Sequence, residues 1–173
     1  PAAFRTLERI ILSGGLLACA CGWLVTPLAA AQRNWTGSAS GLWSNPNNWD
    51  PPGPPQNGDF LTFDQNSHTT MVNDLVGLSV TALDFSLRDY RLSGNAITLS
   101  SSTRALLNIA CMDEMLINCP LILRGEVRVD AGCLPDRMRL FWFGTITLDN
   151  ADVDLDLFLT EAYIRDVISG TGN

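Results

Sequence analysis

The chain contains no lysine; arginine carries all 11 of its positive charges against 18 acidic residues, for a net charge of −7. Without lysine there is no Walker-type phosphate loop, no Schiff-base amine and no Ser-Lys dyad. A negative balance also argues against nucleic-acid binding, which needs a basic stripe to displace counterions from phosphates. Histidine is almost absent too: His68 is the single copy, so any Ser-His-Asp triad would have to use it. It lies in the polar run Gln65-Asn66-Ser67-His68-Thr69-Thr70, which reads as an exposed loop rather than a catalytic one. Helical periodicity is missing as well. The best candidate, Thr103 to Ile117, reads equally as two short strands around Met112-Asp113-Glu114. What is present is a 46% hydrophobic share, too high for a disordered chain, with 14 Gly and 9 Pro that point to a turn-rich fold.

No charged side chain occurs between Arg9 and Arg33. The apolar run from Ile10 to Leu28 follows Arg5 and Arg9, is interrupted by Pro27, and ends in Ala29-Ala30-Ala31. That layout predicts a secretory signal peptide over residues 1–31, with the Ala-x-Ala pair Ala29 and Ala31 marking cleavage after Ala31. Two alternatives stay open: an uncleaved membrane anchor, since the run is about long enough to span a bilayer, and lipidation at the lipobox-like Leu16-Leu17-Ala18-Cys19. The protein is therefore expected to be exported, with no membrane span in its mature part. Cleavage would remove Cys19 and Cys21 and leave Cys111, Cys119 and Cys133, an odd number that cannot all pair internally. Their spacing fits no zinc ribbon, and they read as small apolar fillers of strands, with a Cys111–Cys119 bridge as the alternative.

From Gln32 to about Phe63 the composition changes. Asn45, Asn47 and Asn48 crowd beside Gly37 and Gly41, and Pro51-Pro52-Gly53-Pro54-Pro55 follows. Punctuation this dense leaves only turns and short strands. Yet Trp35, Trp43 and Trp49 fall inside this stretch, and a disordered linker rarely carries so much aromatic surface. Two roles suit them: a cap over the open end of a stacked fold, or a platform on which sugar rings stack.

From residue 64 to 173 the pattern is β. Ile97-Thr98-Leu99, Val127-Arg128-Val129 and Ile146-Thr147-Leu148 alternate apolar and polar residues, which puts one face in a core and the other in water. Leu99, Leu123 and Leu148 end similar runs 24 and 25 residues apart, and Val167-Ile168-Ser169 follows about one period on. One coil of a β-solenoid, three short strands with their turns, needs about this length. The expected fold is all-β, a parallel β-helix closed by a Trp-rich N-terminal cap; a β-sandwich with evenly recurring hairpins is the alternative.

Trp35-Thr36-Gly37, Gly41-Leu42-Trp43, Asn48-Trp49, the prolines, Gly58-Asp59 and Phe63 form a spaced series. It resembles the opening of secreted bacterial proteins with autotransporter-associated β-strand repeats. Leu83-Asp84-Phe85, Tyr90-Arg91-Leu92-Ser93-Gly94 and Ile97-Thr98-Leu99 resemble the coil that follows in that family, and Ile168-Ser169-Gly170-Thr171-Gly172-Asn173 is similar to the start of its glycine-rich repeat. The resemblance implies a right-handed parallel β-helix at the cell surface, the N-terminal fragment of a longer passenger with a structural or adhesive, non-enzymatic role. The implied partners are an extracellular polysaccharide or a host or neighbouring cell surface. No cofactor is implied. The three cysteines and the bulky Phe141-Trp142-Phe143 depart from the family's usual coils.

Two further chemistries are weighed on the residues themselves. Asp152, Asp154 and Asp156 form a weak calcium candidate, but alternate residues of one strand stand about 7 Å apart in a row, which is not a cage of six to eight oxygens. A β-helix carbohydrate-active enzyme would need two carboxyl groups facing each other across a cleft. Asp113-Glu114 and Asp130/Asp136 are the nearest pairs, and adjacent strand residues face opposite sides. The expected catalytic residues are therefore none, with a carbohydrate-binding module on Trp35, Trp43 and Trp49 as the second reading and an enzyme as the third.

Overall fold

A computed structural model describes residues 30–65, 67–87, 89–110, 114–132, 139–158, 161–164 and 168–172. Most of the expected leader, with Ala29, Cys19 and Cys21, lies outside them, as do Cys111, Asp113, Cys133 and Asp136.

Among the described residues, alternating apolar residues and frequent turns yield fifteen strands: β1 (Gln32–Trp35), β2 (Trp49–Asp50), β3 (Phe60–Phe63), β4 (Thr70–Asn73), β5 (Leu78–Val80), β6 (Ala82–Phe85), β7 (Tyr90–Gly94), β8 (Ile97–Ser100), β9 (Ala105–Ile109), β10 (Glu114–Ile117), β11 (Leu121–Gly132), β12 (Arg139–Trp142), β13 (Ile146–Phe158), β14 (Glu161–Ile164) and β15 (Ile168–Gly172). The ambiguous stretch Thr103 to Ile117 thus contains two strands, β9 and β10. The strands wind into a parallel β-solenoid of about five turns. Parallel pairing throughout the coils excludes the β-sandwich, whose hairpins would pair antiparallel.

Each coil has three arms. The first arm stacks β5, β8, the start of β11, the start of β13 and β15. The second stacks β1, β3, β6, β9 and the later halves of β11 and β13. The third is a separate sheet of β4, β7, β10, β12 and β14. Leu99, Leu123 and Leu148 lie in one register row, so the spacing read from the sequence is the coil length. Gly125 breaks β11 between its two arms, with φ +70 and a register shift beside it. A positive φ costs glycine little, and so the chain can turn that corner without leaving the ladder.

Side chains facing inward form rows along the axis. Phe63, Phe85 and Ile109 stack in register, as do Leu61, Leu83, Leu107 and Val129, all of them buried. Burial of such rows is the main term holding a solenoid together, at about 25 cal/mol per Å² of apolar surface. The corner between the third and first arms is polar but satisfied: buried Asn73 donates to Asn95 O and accepts from Leu75 N. Gly94, its register partner, has φ +107, and a Cβ there would sit 2.3 Å from Asn73 O.

Candidate functional site

The segment with the three tryptophans folds over the first coil. Asn48 organises it. Its side-chain oxygen accepts from the amides of Ala39 and Ser40, each at 2.9 Å, while its nitrogen donates to Ser40 Oγ and Leu42 O. The Asn48 carbonyl accepts from the amides of Thr36 and Gly37. A buried amide with every donor and acceptor used holds a loop in one shape. Asn45 caps the short 3₁₀ turn Pro46–Asn48, and Trp49 then pairs antiparallel with Trp35.

In consequence the indoles turn inward. Trp35 and Trp43 are 0% exposed and Trp49 is 2% exposed. Trp49 lies edge-on to Trp35 at 5.0 Å and to Trp43 at 5.7 Å, and Trp43 stacks on Phe63 at 5.6 Å. Phe63 in turn stacks on Phe85 at 4.4 Å, so the cap continues the aromatic row of the second arm. Trp49 Nε1 donates to Trp43 O at 2.9 Å, Trp35 Nε1 to His68 O at 3.2 Å, and buried Trp43 Nε1 has no partner among the described residues. A sugar ring cannot reach buried faces, so the three tryptophans form the cap and not a stacking platform. His68 is exposed, as expected, and its ring Nδ1 meets Gly37 O at the edge of the cap.

A second feature of this end escaped the sequence reading. Arg33 lies in register with Leu61 and so heads an apolar row. Its guanidinium turns aside to Asp59, with Nε 2.6 Å from Oδ2, and also donates to Pro51 O and Gly53 O. Asp59 is 2% exposed at its side chain and accepts two further bonds, from Gln56 N to Oδ2 and from Ala31 N to Oδ1, both 2.9 Å. Gly58-Asp59 was legible as a motif; its partner was not, because the two residues are 26 apart in the chain.

The aspartates expected to form a solvated row do so. Asp152, Asp154 and Asp156 are exposed on the outer face of β13. Asp154 lies 3.6 Å from Arg104 and Asp156 lies 3.8 Å from Arg128, which also binds Asp130 at 2.7 Å. Among the described residues no group of three His, Cys, Asp or Glu side chains could hold a metal ion. Glu114 sits between Arg91 and Arg139, at 3.1 Å and 3.5 Å. These exposed pairs contribute little each; their effect is to spread charge over the outer wall.

Phe141-Trp142-Phe143 alternates outward, inward, outward. Trp142 is buried, while Phe141 stacks on Tyr163 of the next coil at 5.2 Å and 6°, with Arg139 over its ring at 5.9 Å. Cys119 is a free, buried thiol, and burial pushes its pKa up to about 12, away from the reactive range. Among the described residues no helix is long and apolar enough to cross a membrane.

No family model, curated protein or solved structure compared with the chain matches it.

Proposed function

We propose that this chain is a non-enzymatic structural or adhesive element: the exported N-terminal part of an autotransporter-like, surface-displayed solenoid. The observation behind this reading is the closed start of the parallel coil stack. At the first coil, the tryptophan cap and the antiparallel strand β2 cover the core.

The terminal coil of a solenoid needs such a cover, because an exposed end is an unpaired apolar edge. A capped first coil with parallel coils stacked upon it suits a stalk. The resemblance of the Trp35 to Phe63 series to autotransporter-associated passengers points the same way, as does the apolar leader. In this role the outer wall, with its alternating Arg and Asp rows, stays soluble outside the cell and meets a polysaccharide or a neighbouring cell surface.

The test is location. Intact cells producing the tagged full-length gene product are treated with an external protease, and the solenoid should be released or digested while a cytoplasmic marker survives. Retention of the chain inside unbroken cells would sink the reading.

A further inference from the structure

The start of the first coil holds a carboxylate that faces the chain's own nitrogen. Asp59 is fixed on Oδ2 by Arg33 Nε at 2.6 Å and Gln56 N at 2.9 Å, which aims Oδ1 at the nitrogen of Ala31, 2.9 Å away. The Ala31 carbonyl accepts from Phe60 N at 2.9 Å. Ala31 is thus bonded on both sides and half-buried, and Ala30 before it is exposed.

Cleavage after Ala31, where the Ala29-x-Ala31 pattern puts it, would delete both bonds: Phe60 N would lose its acceptor and Asp59 Oδ1 its donor. Cleavage one residue earlier keeps both. It also turns the Ala31 amide into an α-ammonium, a charged donor of the kind a buried carboxylate binds more strongly than a neutral one. We propose that Asp59 is the receptor for the α-ammonium of a chain cut between Ala30 and Ala31. In that cut a signal-peptidase-type hydrolase adds water across the peptide bond. Ala30 leaves with the new carboxylate, and Ala31 keeps the nitrogen, protonated at neutral pH. The inference rests on the reading that the leader is removed during export. Arg33 and the new ammonium then flank Asp59 from two sides.

The absence of lysine makes this testable, because the α-amine is the only amine among these 173 residues. The full chain is produced in an exporting bacterium, and its first residue is read by intact mass and N-terminal sequencing. The processed protein is then acetylated with an N-hydroxysuccinimide ester at pH 7, folded and in urea. A chain beginning at Ala31, whose amine reacts about tenfold more slowly folded than unfolded because pairing keeps it protonated, is the expected result. Asp59→Asn should bring the two rates together; should that variant fail to fold, the rate ratio in the unchanged protein decides alone. A chain beginning at Gln32, or upstream of Ala31, overturns the receptor and spares the leader. An uncut chain overturns both. An Ala31 amine that reacts equally fast folded and unfolded overturns the receptor.

Discussion

Replacing Trp43 with alanine tests the cap. The ring is fully buried, and truncating a buried Trp costs about 3–5 kcal/mol through lost transfer energy and the cavity left behind. It also loses the stack on Phe63 at 5.6 Å and the edge contact with Trp49 at 5.7 Å, each about 0.5–1.5 kcal/mol and partly contained in the first figure. One term opposes these. Trp43 Nε1 is buried without a partner among the described residues, and removing it relieves a penalty of about 1–3 kcal/mol. The hydrogen bond from Trp49 Nε1 ends on the Trp43 backbone carbonyl and survives the substitution. The balance is a loss near 3 kcal/mol, or a Tm lower by about 6–12 °C at 2–4 °C per kcal/mol for a chain of this size. Trp43→Phe, which keeps a ring on Phe63 and deletes the orphaned N–H, should cost under about 1.5 kcal/mol, as near volume-conserving swaps do. Both variants are followed by far-UV circular dichroism in thermal and urea unfolding. Unchanged melting of Trp43→Ala would refute the cap, whatever happens to sugar binding.

Asn48→Ala should cost about 3 kcal/mol, because it strands the amides of Ala39 and Ser40 and the Leu42 carbonyl at about 1 kcal/mol or more each; urea midpoints measure it, and a loss below about 1 kcal/mol would show that water replaces the side chain. Cys119 should resist iodoacetamide at pH 8 in the folded protein and label fully in urea, since burial raises its pKa from 9.0 to about 12. The sign follows from that displacement: its contribution is fully present below pH 9.0 and is lost as pH rises toward about 12, where the unfolded thiol ionises first. Rapid native labelling at pH 8 would show that the thiol is not enclosed.

The rows Leu99–Leu123–Leu148 and Ile97–Leu121–Ile146 were legible because a stacked coil repeats its inward positions at a fixed chain distance. Alternation at Val127 to Val129 was legible for the same reason. The third arm was harder. Arg139 to Phe143 reads as a bulky cluster, and its out-in-out alternation emerges only when Phe141 is seen stacked on Tyr163 with Trp142 beneath. Thr103 to Ile117 stayed ambiguous because strands of five and four residues carry too few periods to tell from a helix.

Residue types and their spacing along the chain determined the all-β fold, the coil length, the outward aspartate row and the presence of a distinct tryptophan-rich start. These depend on local alternation and on a repeat that each coil must satisfy against its neighbour. Which rows adjoin, which faces are covered and which charges meet came from the tertiary structure alone. Three tryptophans in a turn-rich segment are compatible with a cap or with a platform. Only the fold of residues 36–49 around Asn48 turns the rings inward onto Phe63. Arg33 and Asp59 look like two ordinary surface charges until β1 docks beside β3 and makes them one buried pair. Burial and long-range pairing are properties of the packed chain, and no pattern confined to neighbouring residues contains them.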